Sequence, residues 1–237
     1  VYSDIDITRL SPQDRREVEI VLGELEKREK EERYKADPWA WLCEQVWTVD
    51  EATQQMRRWP GEKRYLQELI GIFQEEKMIA LPKSRRMMIS WTISAWAVWN
   101  ARYHPHHAVF LQSENEDKAA FLTDKRCSFI ENTLNDKNLR RTYKPTKTAK
   151  GAIGRITYHD TGSYLYAIPQ GDSVIRSYTP SIVVMDESEH QQEGREALVA
   201  ALPLVEKGVQ LILLGTSNGP NGVLAEICRG VGFVRWT

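Results

Sequence analysis

Seven residues, Ser181-Ile182-Val183-Val184-Met185-Asp186-Glu187, restrict the fold more than any other stretch of the chain. A short apolar run rich in β-branched residues reads as a buried strand of a parallel sheet. Its C-terminal end carries two adjacent acids to the sheet edge where ligands of open α/β sheets bind. Desolvating two carboxylates there is costly unless they hold a metal or act on water. In nucleotide hydrolases the first such acid helps to hold Mg²⁺, and the second orients or activates the attacking water. The same residues also fit an ordinary strand followed by an N-cap Asp and a first-turn Glu. The acids alone do not separate these readings; a phosphate loop and a sensor strand elsewhere would.

A loop of the right shape lies upstream. Lys63 to Glu76 places Leu66, Leu69, Ile70 and Phe73 on a helical stripe and runs into a short strand, Met78 to Leu81. Pro82-Lys83-Ser84-Arg85-Arg86-Met87-Met88-Ile89-Ser90 comes next, and then a helix from Trp91 through Tyr103. Strand, loop and a helix opening on a hydroxyl is the architecture of a phosphate-binding P-loop, whose helix N-terminus offers backbone N–H groups and a dipole to an anion. Ser90 stands where a Mg²⁺-ligating hydroxyl belongs. The pattern GxxxxGK[ST] nevertheless fails, because Met88 and Ile89 occupy the places of glycine and lysine. Charge is then left to Lys83 at the start of the loop and to Arg85 or Arg86, as a point charge or a bidentate grip on phosphate. Taken by itself this loop is an ordinary strand-to-helix turn with surface bases.

The remaining chain alternates. Ala108 to Leu111 reads as a strand, Glu116 to Leu139 as one helix, and Arg155–His159 with Ser163–Ile168 as a hairpin around Asp160-Thr161-Gly162. Lys144 to Lys150 reads as a basic loop, either solvated or a nucleic-acid contact. His104, His106 and His107 have no acid or Cys at ligand spacing, which favours a solvated loop. The loop Pro169 to Pro180 carries Arg176, with no acidic run to account for its charge. A helix from Gly194 to Val205 leads to the strand Val209 to Leu214, which ends in Gly215-Thr216-Ser217-Asn218. Small hydroxyls there fit a γ-phosphate sensor, or a polar turn.

Residues 1–59 form an N-terminal helical appendage: Ser11 caps a charged helix, Asp37-Pro38 restarts the chain, and Trp39, Trp41 and Trp47 supply an aromatic cluster that fits a helix docked on the core ahead of a stacking platform for nucleic acid. Trp59-Pro60-Gly61 separates it from the main domain, 60–237. With 41% hydrophobic residues the chain can bury a full core, and its net charge of −1 confines any DNA contact to a local patch. Three scattered cysteines without a CxxC pair suggest reduced thiols, and no run has the length of a membrane span. A start at Val1 and a stop at Thr237 suggest a processed or excised piece.

The serial order of these motifs resembles the ATPase domain of the large terminase subunit, the DNA-packaging motor of tailed bacteriophages. Family phosphate loops often read x-S-R-x-x-G-K-[ST], and this loop matches at Ser84, Arg85 and Ser90 while departing at Met88 and Ile89. The resemblance implies a three-layered P-loop NTPase of the RecA-like type, with a mostly parallel central sheet and the N-terminal helical appendage. It implies a Mg²⁺-dependent ATPase. Lys83, Ser84, Arg85, Arg86 and Ser90 would bind phosphate, Ser90 and Asp186 would hold the metal, and Glu187 would activate water. Arg176 would reach a neighbouring subunit's ATP, Thr216 would couple hydrolysis to DNA movement, and Gln67 and Phe73 are candidates for the adenine pocket. The implied partners are double-stranded viral DNA, the portal protein, the small terminase subunit and further copies in a ring on the portal. The implied place is the host cytoplasm, on the procapsid, with no membrane. A full terminase adds a C-terminal nuclease, which this chain stops short of. Two alternatives stay open: a helicase-like DNA translocase, and a degenerate scaffold that binds nucleotide or DNA without hydrolysis.

Overall fold

The computed structural model describes residues 11–84, 86–216, 222–230 and 232–235. Helix α1 (Pro12–Ala36) starts at Ser11, whose Oγ accepts the Asp14 N–H at 3.2 Å, and α2 (Pro38–Gln45) starts at Asp37, which accepts from Ala40. Both begin with Pro in the first turn, where a missing N–H costs nothing. A small antiparallel hairpin comes next, β1 (Trp47–Val49) and β2 (Met56–Arg58). Trp41, Leu42, Val46 and Trp59 are buried with Leu66, Leu69, Ile70 and Phe73 of α3 (Arg64–Glu75), so the N-terminal helices share a core with the sheet-covering layer. Each large apolar side chain so buried contributes roughly 1.5–3 kcal/mol.

The remaining elements build one sheet. They are β3 (Met78–Pro82), α4 (Ile89–Tyr103), β4 (Ala108–Gln112), α5 (Glu116–Phe121), α6 (Ser128–Thr133), β5 (Tyr143–Lys147), β6 (Ile153–Tyr158) and β7 (Tyr164–Ile168). They continue with α7 (Ser173–Ser177), β8 (Ile182–Met185), α8 (Gly194–Val205), β9 (Gln210–Gly215), α9 (Val223–Arg229) and β10 (Val234–Arg235). Among the described residues the sheet has eight strands in the order β10-β3-β9-β8-β4-β7-β6-β5. It is parallel from β10 through β7, and β6 and β5 add antiparallel strands at one edge.

The central strands are apolar on both faces because each face feeds a separate core. Ile79, Leu81, Val109, Leu111, Ile182, Val184, Ile212 and Leu214 pack with α3, α4 and α6. Ala80, Phe110, Val183, Met185, Leu211 and Leu213 alternate with them and pack on Ile175, Ala197, Ala201, Leu224 and Ile227 of α7, α8 and α9. This period-two division between two helical layers is what makes the structure three-layered. β3 and β4 are consecutive in the chain but separated in the sheet by β9 and β8. The parallel arrangement therefore sets the C-terminal ends of β3, β9, β8 and β4 along one edge, around a point where the strand order reverses.

Several local expectations are corrected. The single helix over 116–139 is instead α5, a π-helical turn at Leu122–Cys127, α6 and a 3₁₀ turn at Lys137–Leu139. The basic segment after Arg141 is no free loop: Tyr143–Lys147 is edge strand β5, which tolerates Pro145 because an edge strand can lack a donor. The loop before the acidic strand folds residues 173–177 into α7. α4 is buried almost throughout and anchored by Arg102, whose guanidinium donates to both Glu131 oxygens at 2.8 and 2.7 Å and to Leu139 O at 2.6 Å.

Candidate nucleotide site

The site begins with backbone geometry. Met88 has φ 58°, Arg86 φ 64° and Glu187 φ 50°, all in the left-handed region that non-glycine residues avoid at a cost of roughly 1–2 kcal/mol. Three such residues around one cavity mark a loop whose shape is imposed by its surroundings. Met88 stands at the glycine position of the phosphate-loop pattern and keeps the conformation for which glycine is usually chosen. Tyr65 Oη donates to Met87 O at 3.3 Å, and Arg57 Nη2 lies 3.2 Å from Met88 Sδ. The N-terminal hairpin and α3 thus brace the loop. α4 opens directly after Met88 with no side-chain cap, leaving its first N–H groups to the cavity.

Side chains from three strand ends converge here. Lys83 comes directly after β3 and is fixed by its own N–H, which donates to Gly215 O at 3.0 Å at the end of β9. Its Nζ donates to Ser90 Oγ at 3.1 Å and lies 3.4 Å from Asp186 Oδ1 and 3.0 Å from Glu187 Oε1. Asp186 Oδ1 accepts the Glu187 N–H at 3.1 Å, and Glu187 Oε2 accepts the Thr216 N–H at 3.3 Å. Gly215 allows a close approach, since a Cβ there would lie 3.3 Å from Ser188 N, a tight contact. The cavity they enclose has about 320 Å³ and is lined by Lys83, Ser84, Ser90, Arg126, Glu187 and Thr216, among others.

The two carboxylates are driven apart electrostatically. Burial pushes Asp186 above the ordinary Asp range, Lys83 offsets part of this, and the neighbouring Glu187 charge adds to it. Burial also pushes Glu187 up, but the Lys83 charge and hydrogen bond, helped by the Thr216 N–H, outweigh it and leave the group below its usual value. Adjacent acids with opposed shifts are suited to separate roles. A larger cavity of about 580 Å³ lies at the opposite sheet edge, between Trp96, Trp99, His104, His107 and the starts of β8 and β9. No carboxylate lines it.

Of the residues singled out in the sequence, Lys83, Ser84, Arg86, Ser90, Glu187 and Thr216 line one cavity, with Asp186 directly behind Lys83. Arg85 and the Ser217-Asn218 part of the sensor segment lie outside the described residues. Gln67 is exposed on α3 and Phe73 is buried against Trp96, with ring centroids 5.6 Å apart; neither reaches this cavity. Arg176 is not without a partner: its Nε donates to Asp172 Oδ2 at 2.6 Å, one helical turn earlier, and it is largely exposed. The structure adds two residues that sequence reasoning missed, Glu51 and Arg126. Both line the cavity. A Lys-Arg pair within a long helix reads as solvated surface, and only the cation missing at Ile89 hinted that another was needed.

Comparison of the whole structure with solved structures gives consistent neighbours. The HK97 bacteriophage large terminase superposes with a TM-score of 0.59 at 12% identity, over 81% of this chain and 40% of that one. The large terminase from the thermophilic bacteriophage D6E gives 0.55 at 11% identity, over 73% and 44%, and the same protein in complex with ADP gives 0.53 at 13%, over 74% and 45%. This is the P-loop NTPase fold of the phage large terminases. No family model matches the sequence, and no curated protein matches it either. The alignments cover less than half the length of these large terminases. Among the described residues no helix is long and apolar enough to cross a membrane. The terminase likeness at 11–13% identity carries the fold, and the chemistry rests on the side chains just described.

Proposed function

We propose that this chain is the ATP-hydrolysing motor domain of a viral large terminase. The observation that carries the reading is the Lys83 ammonium, held by Ser90 Oγ, Asp186 and Glu187 where β3, α4 and β8 meet. A hydroxyl and a carboxylate on a common cation are the donor set that Mg²⁺ takes beside nucleotide phosphates. Ser90 and Asp186 would hold that ion, which would neutralise charge on the β- and γ-phosphates.

The residues then divide the work. The uncapped α4 N-terminus and the 86–89 backbone receive the phosphate chain. Lys83, on a flexible stem, turns from the carboxylates to the phosphate oxygens once the nucleotide enters. Glu187, held ionised and hydrogen-bonded by Thr216 N–H, orients the attacking water and takes its proton. Thr216 at the end of β9 senses whether the γ-phosphate is present, and Arg85 with Arg86 adds charge at the loop. Arg176, on an exposed helix near the acidic strand, would leave Asp172 to complete a neighbour's site. Coupling to double-stranded DNA entering a procapsid, with portal protein, small subunit and a ring of copies in the host cytoplasm, belongs to the same proposal. So does a nuclease in the full-length protein.

Single-turnover hydrolysis of ATP across a Mg²⁺ titration tests the reading. Wild type should release phosphate in a Mg²⁺-dependent manner, and Asp186→Ala should lose both Mg²⁺-dependent binding and turnover. Tight ATP binding with no hydrolysis by wild type would instead favour a non-hydrolysing scaffold, the reading that Met88 and Ile89 support.

A further inference from the structure

The phosphate loop lacks its lysine, and a cation reaches the same cavity from an element no phosphate-loop pattern includes. Arg126 lies in the π-helical turn Leu122–Cys127 that interrupts the α5–α6 helix. A π turn inserts a residue and rotates the side chains beyond it, a device found mostly where one of them must be re-aimed for function. Leu122, Thr123 and Cys127 of this turn are buried, while Arg126 lines the cavity with Lys83, Ser90 and Glu187. Its guanidinium carbon stands 5.7 Å from the Trp91 ring centroid and 5.3 Å from that of Phe121, a seat that fixes its plane.

What the guanidinium lacks is an acceptor. Its side chain is only 14% exposed, yet among the described residues its nearest acid is Glu51 Oε1 at 3.9 Å, beyond hydrogen-bond reach. No hydrogen bond of Arg126 is found among those residues. A half-buried guanidinium that lines a cavity and has no hydrogen-bond acceptor among the described residues is well placed to take an anion there. Asp186 lies near enough for the two charges to influence each other.

We propose that Arg126 is a phosphate-binding residue of this site, supplied in cis from the π turn and gripping the terminal phosphate that a lysine at position 89 would have held. The inference rests on the ATPase reading above. A planar fork suits two phosphoryl oxygens at once, and a guanidinium stays protonated throughout, so it stabilises charge without moving a proton. The chain thus carries two arginines for distinct places, Arg126 on its own nucleotide and Arg176 outward.

The test is equilibrium binding of the non-hydrolysable ATP analogue AMP-PNP and of ADP to the full chain with Mg²⁺, together with single-turnover hydrolysis of ATP. Arg126→Gln keeps a polar, uncharged side chain on the same helical position but is shorter and loses the charge and the planar fork. It should weaken AMP-PNP roughly tenfold to a hundredfold, the range for one hydrogen bond to a charged group, while ADP stays within about twofold. Arg126→Lys should recover part of the hydrolysis rate but less of the AMP-PNP preference, because it lacks the fork. Unfolding midpoints of all three proteins control for stability. An equal loss for AMP-PNP and ADP, or no loss in either variant, overturns the assignment while leaving the ATPase reading intact. If Arg126→Gln does not fold, an Arg126→Lys protein with the wild-type AMP-PNP to ADP ratio and rate overturns it too. Wild type that neither binds nor hydrolyses ATP overturns both.

Discussion

Replacing Lys83 by Met removes one charge from a cluster of three and keeps most of the side-chain volume. Nζ sits 3.0 Å from Glu187 Oε1 and 3.4 Å from Asp186 Oδ1, with Lys83 9% and Asp186 11% exposed. At an effective dielectric constant near 20 each contact is worth about 5 kcal/mol of Coulomb energy. The cost of burying the ammonium offsets much of that. Removing one partner of a buried pair typically costs about 3–5 kcal/mol, because the other charge is left behind. Glu187 is 31% exposed and partly screened, so the lower end, about 3 kcal/mol, is expected near pH 7. The pH dependence identifies the cause. Glu187 lies below its usual range in the folded protein, so its contribution is present at neutral pH and lost as pH falls through that lowered value. Asp186 is already raised by burial, and without Lys83 it rises further; the folded variant then takes up a proton and regains stability in acid. The two effects act in the same direction and narrow the gap between variant and wild type in acid, that of Asp186 first, as pH falls towards its raised value, and that of Glu187 below the ordinary Glu range. Urea unfolding monitored by tryptophan fluorescence at stepped pH measures it. A difference below about 0.5 kcal/mol at pH 7, or one that does not change with pH, would refute the electrostatic account of this cluster.

Arg86→Gly places glycine at φ 64° on an exposed part of the loop and should stabilise the chain by about 0.5–1 kcal/mol, seen as a higher urea midpoint; a lower midpoint would mean the backbone there is not strained. Arg102→Met leaves the buried Glu131 carboxylate unpaired and should cost about 3–5 kcal/mol, whereas Arg102→Met with Glu131→Leu should recover most of it. Mixing Arg176→Ala with Glu187→Gln subunits should restore part of the ATPase activity if Arg176 serves a neighbour, since some interfaces then have both good halves. No recovery in verified mixed assemblies would leave Arg176 as the partner of Asp172 alone.

Much of the site was legible because buried parallel strands leave a strong signal. The runs at 78–81, 108–111, 182–185 and 209–214 are apolar on both faces, and each covers most of an observed strand. A parallel sheet then sets the residues after each strand on one edge, whatever the loop sequence. What stayed hidden depended on phase and pairing. Leu122, Phe129, Ile130 and Leu134 keep a helical rhythm across a π turn, because one inserted residue barely changes a sparse apolar pattern; Arg126 was hidden with it. Lys144 and Lys147 read as loop because an exposed edge strand buries too little to alternate. Arg176 and Asp172 are an i,i+4 pair, visible only once α7 is known to be a helix. The hairpin of β1 and β2, which brings Glu51 to the cavity, has strands too short to leave a pattern.

The central claim is that Glu187 activates water on a nucleotide held between the ends of β3, β8 and β9. Phosphate release by Glu187→Gln in a single-turnover assay tests it most directly, with bound AMP-PNP measured on the same protein. Glutamine keeps the side-chain length and can still accept the Thr216 N–H, but it cannot take a proton from water. The account predicts AMP-PNP binding close to wild type and ATP hydrolysis slower by about two to four orders of magnitude. Hydrolysis by Glu187→Gln at the wild-type rate would contradict it.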